Sequence, residues 1–361
     1  MGRDLFKEAD KEFRRISKSF YYPTRKMPLD LRMDILSDYF MKRVADEIED
    51  DLAKSGKKEQ LLYDHISSMQ AGSPDKAIKQ FLSQNPKGTR QRDAVARNYD
   101  LFFSVFSKIP KESRLVITET TLEMIPGMLR EDFSEIISFE HLNEYCSYVA
   151  GIPGKSITRL FGLTGFLPEG TYNYMLKLSN EAGLGLQKAN IIRDISRDMV
   201  EGRFYVPGEL LEKHGLSRDT FVMTRTNVNE VIADKTRSRY KVVNEMVVDA
   251  SKSLESMVKY THSIPIPNLV PAPKNKTREE LSRELSLSRG MRFFSGFAAI
   301  QTIKSLYRMH DSINPFMLGA FSEKKTIYEK KDGVKTYYFM LRNWDSHKAI
   351  QEKFDLLSKF E

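Results

Sequence analysis

Apolar residues along this chain recur mostly at three- and four-residue spacing, the helical period. The pattern predicts helices over residues 4–17, 29–54, 93–108, 111–130, 138–161, 171–199, 227–260, 283–309 and 343–360. The punctuation agrees. SFYYPTRKMP (19–28) carries two prolines and predicts a break. KSGKK (54–58) ends a helix with glycine and basic residues, and AGSPD (71–75) offers Ser or Asp as a cap. Pro153 predicts a kink or break within 138–161. Pro207 starts a short helix to His214, with Gly215 as its C-cap. The proline-rich SIPIPNLVPAPKNK (263–276) cannot be helix and reads as a surface crossing, not a domain boundary. Only TIYEKKDGVKTYYFML (326–341) differs. There Asp332-Gly333 between β-branched and aromatic residues signals a small β-hairpin. One hairpin cannot make an α/β fold, so the expectation is an all-α protein, a single domain over residues 1–361.

Composition narrows the function classes. The net charge is +8, which favours anionic partners, but the Lys and Arg residues are dispersed. No basic run is interleaved with aromatics, so a nucleic-acid partner is not expected. The single cysteine, Cys146, excludes an internal disulfide and sits in an apolar helical pattern as a small core residue. Six scattered histidines offer no zinc spacing. No stretch reaches the roughly 18 apolar residues of a membrane span, and the N-terminus has no signal core.

Two helices carry an unusual face. In LQKANIIRDISRD (186–198), Gln187, Asn190, Asp194 and Asp198 fall within roughly 80° of one another at about 100° per residue. Ile191, Ile192 and Ile195 lie off that face. Such a stripe on an apolar helix meets water or lines a cavity. Asp194 and Asp198 repel at i,i+4, and a cation between them would remove that cost. Arg193 beside them suits a phosphate. In YFMKRVADEIEDD (39–51), Tyr39, Arg43, Asp46 and Asp50 share a similar face with Glu49 at its edge. A lone acidic helical face is usually just solvated. Two aspartate pairs, each with an arginine, point to metal-assisted handling of a phosphate group.

These stretches are similar to motifs of one family. SKSF (17–20), YFMKRVADEIEDD (39–51), YCSYVAG (145–151), LGLQKANIIRDISRD (184–198) and EGRFYVP (201–207) match it in order and spacing. The chain resembles the squalene/phytoene synthases, head-to-head trans-prenyltransferases. The likeness spans most of residues 15–210 and weakens from Asn227 onward. It implies an isoprenoid-synthase-type helical bundle around a central cavity. It also implies Mg²⁺, with Mn²⁺ as an alternative ion, held by Asp46, Glu49, Asp50, Asp194 and Asp198. Arg197 departs from the pattern, standing where many members have a carboxylate.

The resemblance assigns further roles. Arg43, Arg193 and Arg203 would help a diphosphate depart. Ser17 and Lys18 would contact it, although lysine lacks the bidentate fork of the usual arginine. Phe20, Tyr39, Tyr145, Tyr148 and Phe294 would present π-faces to a carbocation. For Phe294 a plain core role weighs equally. Tyr145 matches the tyrosine that assists proton removal or stabilises the cation, while Gln187 and Asn190 would orient water, metal or diphosphate. The long C-terminal half fits the squalene synthase branch better than phytoene synthase.

The expected reaction joins two farnesyl diphosphates into presqualene diphosphate and reduces it to squalene with NADPH. A dehydrosqualene or phytoene synthase without hydride, or a non-catalytic helical relative that binds lipid or assembles, are the alternatives. No GxGxxG follows a strand, so no Rossmann domain would hold NADPH. Lys330 and Lys331 of the hairpin lie where the family has a basic segment linked to that cofactor. Eukaryotic members usually carry a C-terminal membrane anchor. A chain ending in DLLSKFE is expected to be a soluble form or a truncated one, cytoplasmic or membrane-associated, monomeric, with peripheral membrane contact for apolar product release.

Overall fold

The structure, a computed structural model, describes residues 2–51, 57–84, 90–200, 202–221, 237–267, 276–310, 335–340 and 342–355. Helices make up nearly all of it, with no strand among the described residues. An isolated parallel bridge joins Glu135 to Phe204. The residues group into two compact units.

The first unit contains residues 1–130, 152–177 and 263–294. Its centre is the Leu29–Asp51 helix, which packs against the Lys57–Ala71, Tyr99–Phe106, Lys111–Met128 and Ile152–Leu163 helices. Phe40 of that helix stacks on Phe102 at 3.6 Å between centroids, with Phe13 edge-on at 5.6 Å. This aromatic core supplies most of the burial energy, at about 25 cal/mol per Å² of apolar surface. Asp75 caps the following helix by accepting from the Ile78 amide at 3.0 Å, as the AGSPD loop predicts. The 19–28 stretch departs from its expected break. Lys18–Thr24 is a short helix with Pro23 near its end, where the missing N–H costs only one bond.

A charged pair lies inside this unit. Lys42 Nζ pairs with the Asp38 carboxylate and donates to Thr120 Oγ1 at 3.0 Å and Ser156 Oγ at 3.1 Å. Ser156 Oγ donates in turn to Asp38 Oδ1 at 2.6 Å. All four residues are buried. Burial pushes the Lys42 ammonium below its ordinary pKa, and the Asp38 charge opposes that. The cluster ties three helices together through polar side chains alone.

The second unit contains residues 131–151, 178–262 and 295–361. The long Glu169–Val200 helix enters it at residue 178. Gly185 lets the Ser238–Ser263 helix approach: a Cβ there would stand 2.8 Å from the Leu254 amide nitrogen. Lys188 fixes the same contact, 2.7 Å from the Asp249 carboxylate and donating to Ser253 Oγ at 3.1 Å. Cys146 is buried as expected, and burial pushes its thiol up.

Two expectations are corrected here. Pro153 does not break its helix. Phe139–Cys146 runs through a π-turn at Ser147–Gly151 into Ile152–Leu163. The wider turn accommodates the proline's ring and its missing donor. The hairpin's tip, with Lys330 and Lys331, lies outside the described residues, but residues 335–340, expected as its second strand, are helical. Tertiary contacts overrule their β propensity. Met340 is buried against Gly296, and Lys304 Nζ donates to Thr336 Oγ1 at 2.8 Å. The helix expected over 227–260 is seen as Ser238–Ser263, residues 222–236 lying outside the described ones.

Candidate active site

In the first unit the Leu29–Asp51 helix positions the first acidic motif. Arg43 NH2 donates to Glu47 Oε1 at 2.5 Å, and its NH1 stands 3.5 Å from Asp46 Oδ2. Burial pulls the Arg43 guanidinium down, but the charges of Asp46 and Glu47 outweigh it and hold it above its ordinary value. Arg43 therefore stays charged in a half-buried position. Glu47, only 2% exposed, is a partner that the sequence reading passed over. Asp46 and Glu49 are half-buried, and the side chain of Asp50 lies outside the described ones.

One turn before Arg43 begins an aromatic group. Tyr39 lies 5.3 Å from Phe20, and Phe20 lies 5.6 Å from Phe294. Phe13 backs Tyr39 at 5.2 Å and Phe161 backs Phe294 at 6.4 Å. Three residues singled out separately thus form one continuous aromatic wall. Ser17 serves as the N-cap of the helix that carries Phe20, accepting from the Phe20 amide at 3.4 Å. The Lys18 side chain lies outside the described ones.

In the second unit the polar face of the central helix comes out as its period predicts. Asn190 is exposed, Gln187 half-buried, and the Asn190 amide donates to Gln187 Oε1 at 3.5 Å. Asp194 and Asp198 are 6% and 7% exposed. Two buried carboxylates one turn apart repel, and this chain meets the repulsion with three arginines. Arg193 NH2 donates to Asp194 Oδ2 at 2.6 Å. Arg197 NH2 stands 3.2 Å from Asp194 Oδ2 and 3.8 Å from Asp198 Oδ1. Arg203 NH2 stands 4.0 Å from Asp198 Oδ1, and its amide donates to the Asp198 carbonyl at 2.9 Å. Arg197, noted in the sequence only as a departure, bridges the pair. Its i+3 spacing from Asp194 was the available signal.

Tyr145 and Tyr148 sit on the helix that leads into the π-turn. Phe133 lies edge-on to Tyr145 at 5.5 Å and 6.1 Å from Tyr148. Tyr205, of the EGRFYVP stretch, stacks on Tyr145 at 4.6 Å with the rings 19° apart. The Tyr145 hydroxyl donates to the Tyr205 hydroxyl at 3.1 Å. Tyr205 was not among the expected residues, because its partner is sixty positions away and no periodicity links them.

The donor set suits Mg²⁺ in kind. That ion takes one or two carboxylates and keeps its other positions for water and phosphate oxygens. Asp194 and Asp198 offer such a pair, with Asp46 and Glu49 as a second source of hard oxygen donors. Among the described residues no three His, Cys, Asp or Glu side chains cluster into a ready cage. Nor is any described helix long and apolar enough to cross a membrane.

The family model of squalene/phytoene synthases matches residues 13–274. Squalene synthase ERG9 of Candida albicans is 26% identical over 260 residues, 70% of this chain and 55% of that one. The squalene synthase of Eremothecium gossypii is 32% identical over 216 residues, 58% of this chain and 47% of that one. The chain thus spans about half the length of these relatives. Among solved structures, TcSQS with the ligand E5700 superposes with a TM-score of 0.71 at 19% identity, covering 99% of both chains. A dehydrosqualene synthase in complex with ligand gives 0.58 at 18%, covering 94% of this chain and 98% of that one. Both share the all-α fold.

Proposed function

Because the chain belongs to the squalene/phytoene synthase family, we propose that it is a prenyltransferase that joins two farnesyl diphosphates head to head. The product of the first half-reaction is presqualene diphosphate, and the second reduces it to squalene. The observation that carries this reading is the buried Asp194–Asp198 pair beneath Arg193, Arg197 and Arg203. An acidic pair that costs energy to bury, held beside three cations, suits a substrate bearing both a diphosphate and its counter-ion.

Asp194 and Asp198, with Asp46, Glu49 and Asp50, would hold Mg²⁺, which supplies Lewis acidity toward diphosphate oxygens. Arg193, Arg203 and the charged Arg43 bind and neutralise the departing diphosphate. Ser17 and Lys18 add a hydroxyl and an ammonium to that contact. Gln187 and Asn190 orient water or diphosphate oxygens through their amides. Tyr39, Phe20 and Phe294 give the allylic cation π-faces and keep water away. Tyr145, with Tyr148 one turn on, stabilises the cation and accepts the proton lost on ring closure. NADPH would supply the hydride of the second half-reaction, with Lys330 and Lys331 on its phosphates.

Incubation with farnesyl diphosphate and Mg²⁺, with and without NADPH, tests the reading. Diphosphate release that EDTA abolishes, and squalene only with NADPH, is the expected result. A C30 product unchanged by NADPH would assign the hydride-free reaction instead. No diphosphate release would leave a helical relative without this chemistry.

A further inference from the structure

We infer that Tyr205 is a positioning residue for Tyr145, accepting its hydroxyl proton in a hydrogen bond and so leaving the Tyr145 oxygen to face substrate as an electron-rich acceptor. The inference rests on the prenyltransferase reading above and goes beyond it by adding a residue and a direction of hydrogen bonding.

The geometry is specific. The two rings lie nearly parallel, 4.6 Å apart at 19°, and the hydroxyls meet at 3.1 Å. Ring stacking alone would be served equally by phenylalanine. A buried phenol needs a partner for its hydroxyl, and here each phenol is the other's. Tyr205 is 8% exposed, while Tyr145 is half-buried, so Tyr205 is the inner member.

The backbone that carries Tyr205 is pinned on both sides. The Phe204 amide donates to the Ser134 carbonyl at 2.9 Å, and the Ile136 amide donates to the Phe204 carbonyl at 3.1 Å. Two residues earlier, Arg203 is tied to Asp198 through both its amide and its guanidinium. One tripeptide, Arg203-Phe204-Tyr205, therefore reaches the acidic pair with its first side chain and the tyrosine with its third. Phe133 closes on Tyr145 edge-on, which limits rotation of the ring.

The chemistry follows from hydrogen-bond direction. A phenol that gives its proton to a neighbour is polarised toward phenolate and keeps its lone pairs available. That is the form needed beside a carbocation or to take a proton from carbon. A phenol aimed with its O–H at the cavity would present a positive hydrogen to a positive intermediate.

The test is a double-mutant cycle read on diphosphate release from farnesyl diphosphate in Mg²⁺. Tyr205→Phe keeps the ring and the stack but removes the acceptor. It is expected to lower kcat on the order of tenfold, with KM within about twofold and the melting temperature near that of the wild type. In a Tyr145→Phe background the same change is expected to alter kcat by less than about twofold, because its effect passes through Tyr145. Equal losses in both backgrounds, or a Tyr205→Phe enzyme at wild-type kcat, would overturn the inference. A second readout does not need turnover: with ¹³C label at tyrosine Cζ, Tyr205→Phe should move the Tyr145 resonance and leave that of Tyr63 in place. An unmoved Tyr145 resonance also overturns it. A wild-type protein that releases no diphosphate, yet shows the moved resonance, would remove the prenyltransferase reading and the catalytic positioning with it, while the hydroxyl pair itself stands.

Discussion

Gly183 and Ala150 meet backbone to backbone: a Cβ on Gly183 would lie 2.3 Å from the Ala150 carbonyl oxygen. The contact seats the π-turn, which follows Tyr145 directly and contains Tyr148, on the central helix a little over one turn before Gln187. No side-chain rotation can relieve a clash with a carbonyl. Gly183→Ala is therefore expected to cost about 1–3 kcal/mol and to lower the melting temperature measurably, with helix content by circular dichroism retained at low temperature. A melting temperature equal to that of the wild type would mean that the two segments slide apart freely.

Asp194→Asn should remove diphosphate release by at least about a hundredfold in Mg²⁺ while the helices stay folded. The substitution keeps volume and removes one of two repelling charges, so the fold has little reason to suffer. A pyrophosphate assay beside a thermal melt checks both halves. Turnover at the wild-type rate would take Asp194 out of the metal-holding set.

Arg43 has a double role that separates in a pair of variants. Arg43→Ala leaves Glu47 buried without its partner, which costs on the order of 3 kcal/mol, as well as removing a cation from the diphosphate. The expected result is low activity and a lowered melting temperature. Adding Glu47→Gln to Arg43→Ala should restore stability without restoring activity. Recovery of both by the double variant would show that Arg43 acts on the fold alone.

Asp34 makes stability depend on pH. Burial raises its carboxyl from 3.8 to about 7, with the Ser113 hydrogen bond opposing and the Asp30 charge adding. The folded chain therefore holds a proton that the unfolded chain has released, and stability falls as pH rises from about 4 through about 7. Asn at position 34 stays neutral and can still accept from Ser113 Oγ. Asp34→Asn should raise the melting temperature at pH 8 by an amount worth a few kcal/mol at most, and the gain should shrink toward pH 4. A gain constant across that range would contradict the assignment.

Lys330 and Lys331 are tested through the cofactor. Replacing both with alanine should raise the apparent KM for NADPH while presqualene diphosphate still forms. Squalene yields that coincide with the wild type across an NADPH titration would free the two lysines from that role.

Much of the frame was legible because helical period and polar pattern are local signals. The stripe Gln187–Asn190–Asp194–Asp198 emerged on one face because nothing but the 3.6-residue repeat was needed to place it. Other features were not local. Asp38 and Lys42 read as an ordinary i,i+4 surface pair, and only the packing of three helices around them makes them interior. Tyr205 acquires its partner through chain folding over sixty residues. Residues 335–340 look like a strand by composition, yet Gly296 opens a slot that Met340 fills from a helical turn. Glu47 was within reach, one turn past Arg43, but stood unremarked in an acidic run where every residue could be a ligand.

The Asp38–Lys42 cluster works as a lock with a combination. Apolar side chains slide past one another at small cost, so several alignments of the Leu29–Asp51, Lys111–Met128 and Ile152–Leu163 helices would bury similar area. Only one brings Thr120 and Ser156 together onto the ammonium and the carboxylate. Any neighbouring alignment would strand an ion in oil, several kcal/mol above the observed packing. Arg43 and Asp46 follow Lys42 by one and four positions on the same rigid rod, so the choice of alignment is also the choice of where the first acidic motif points.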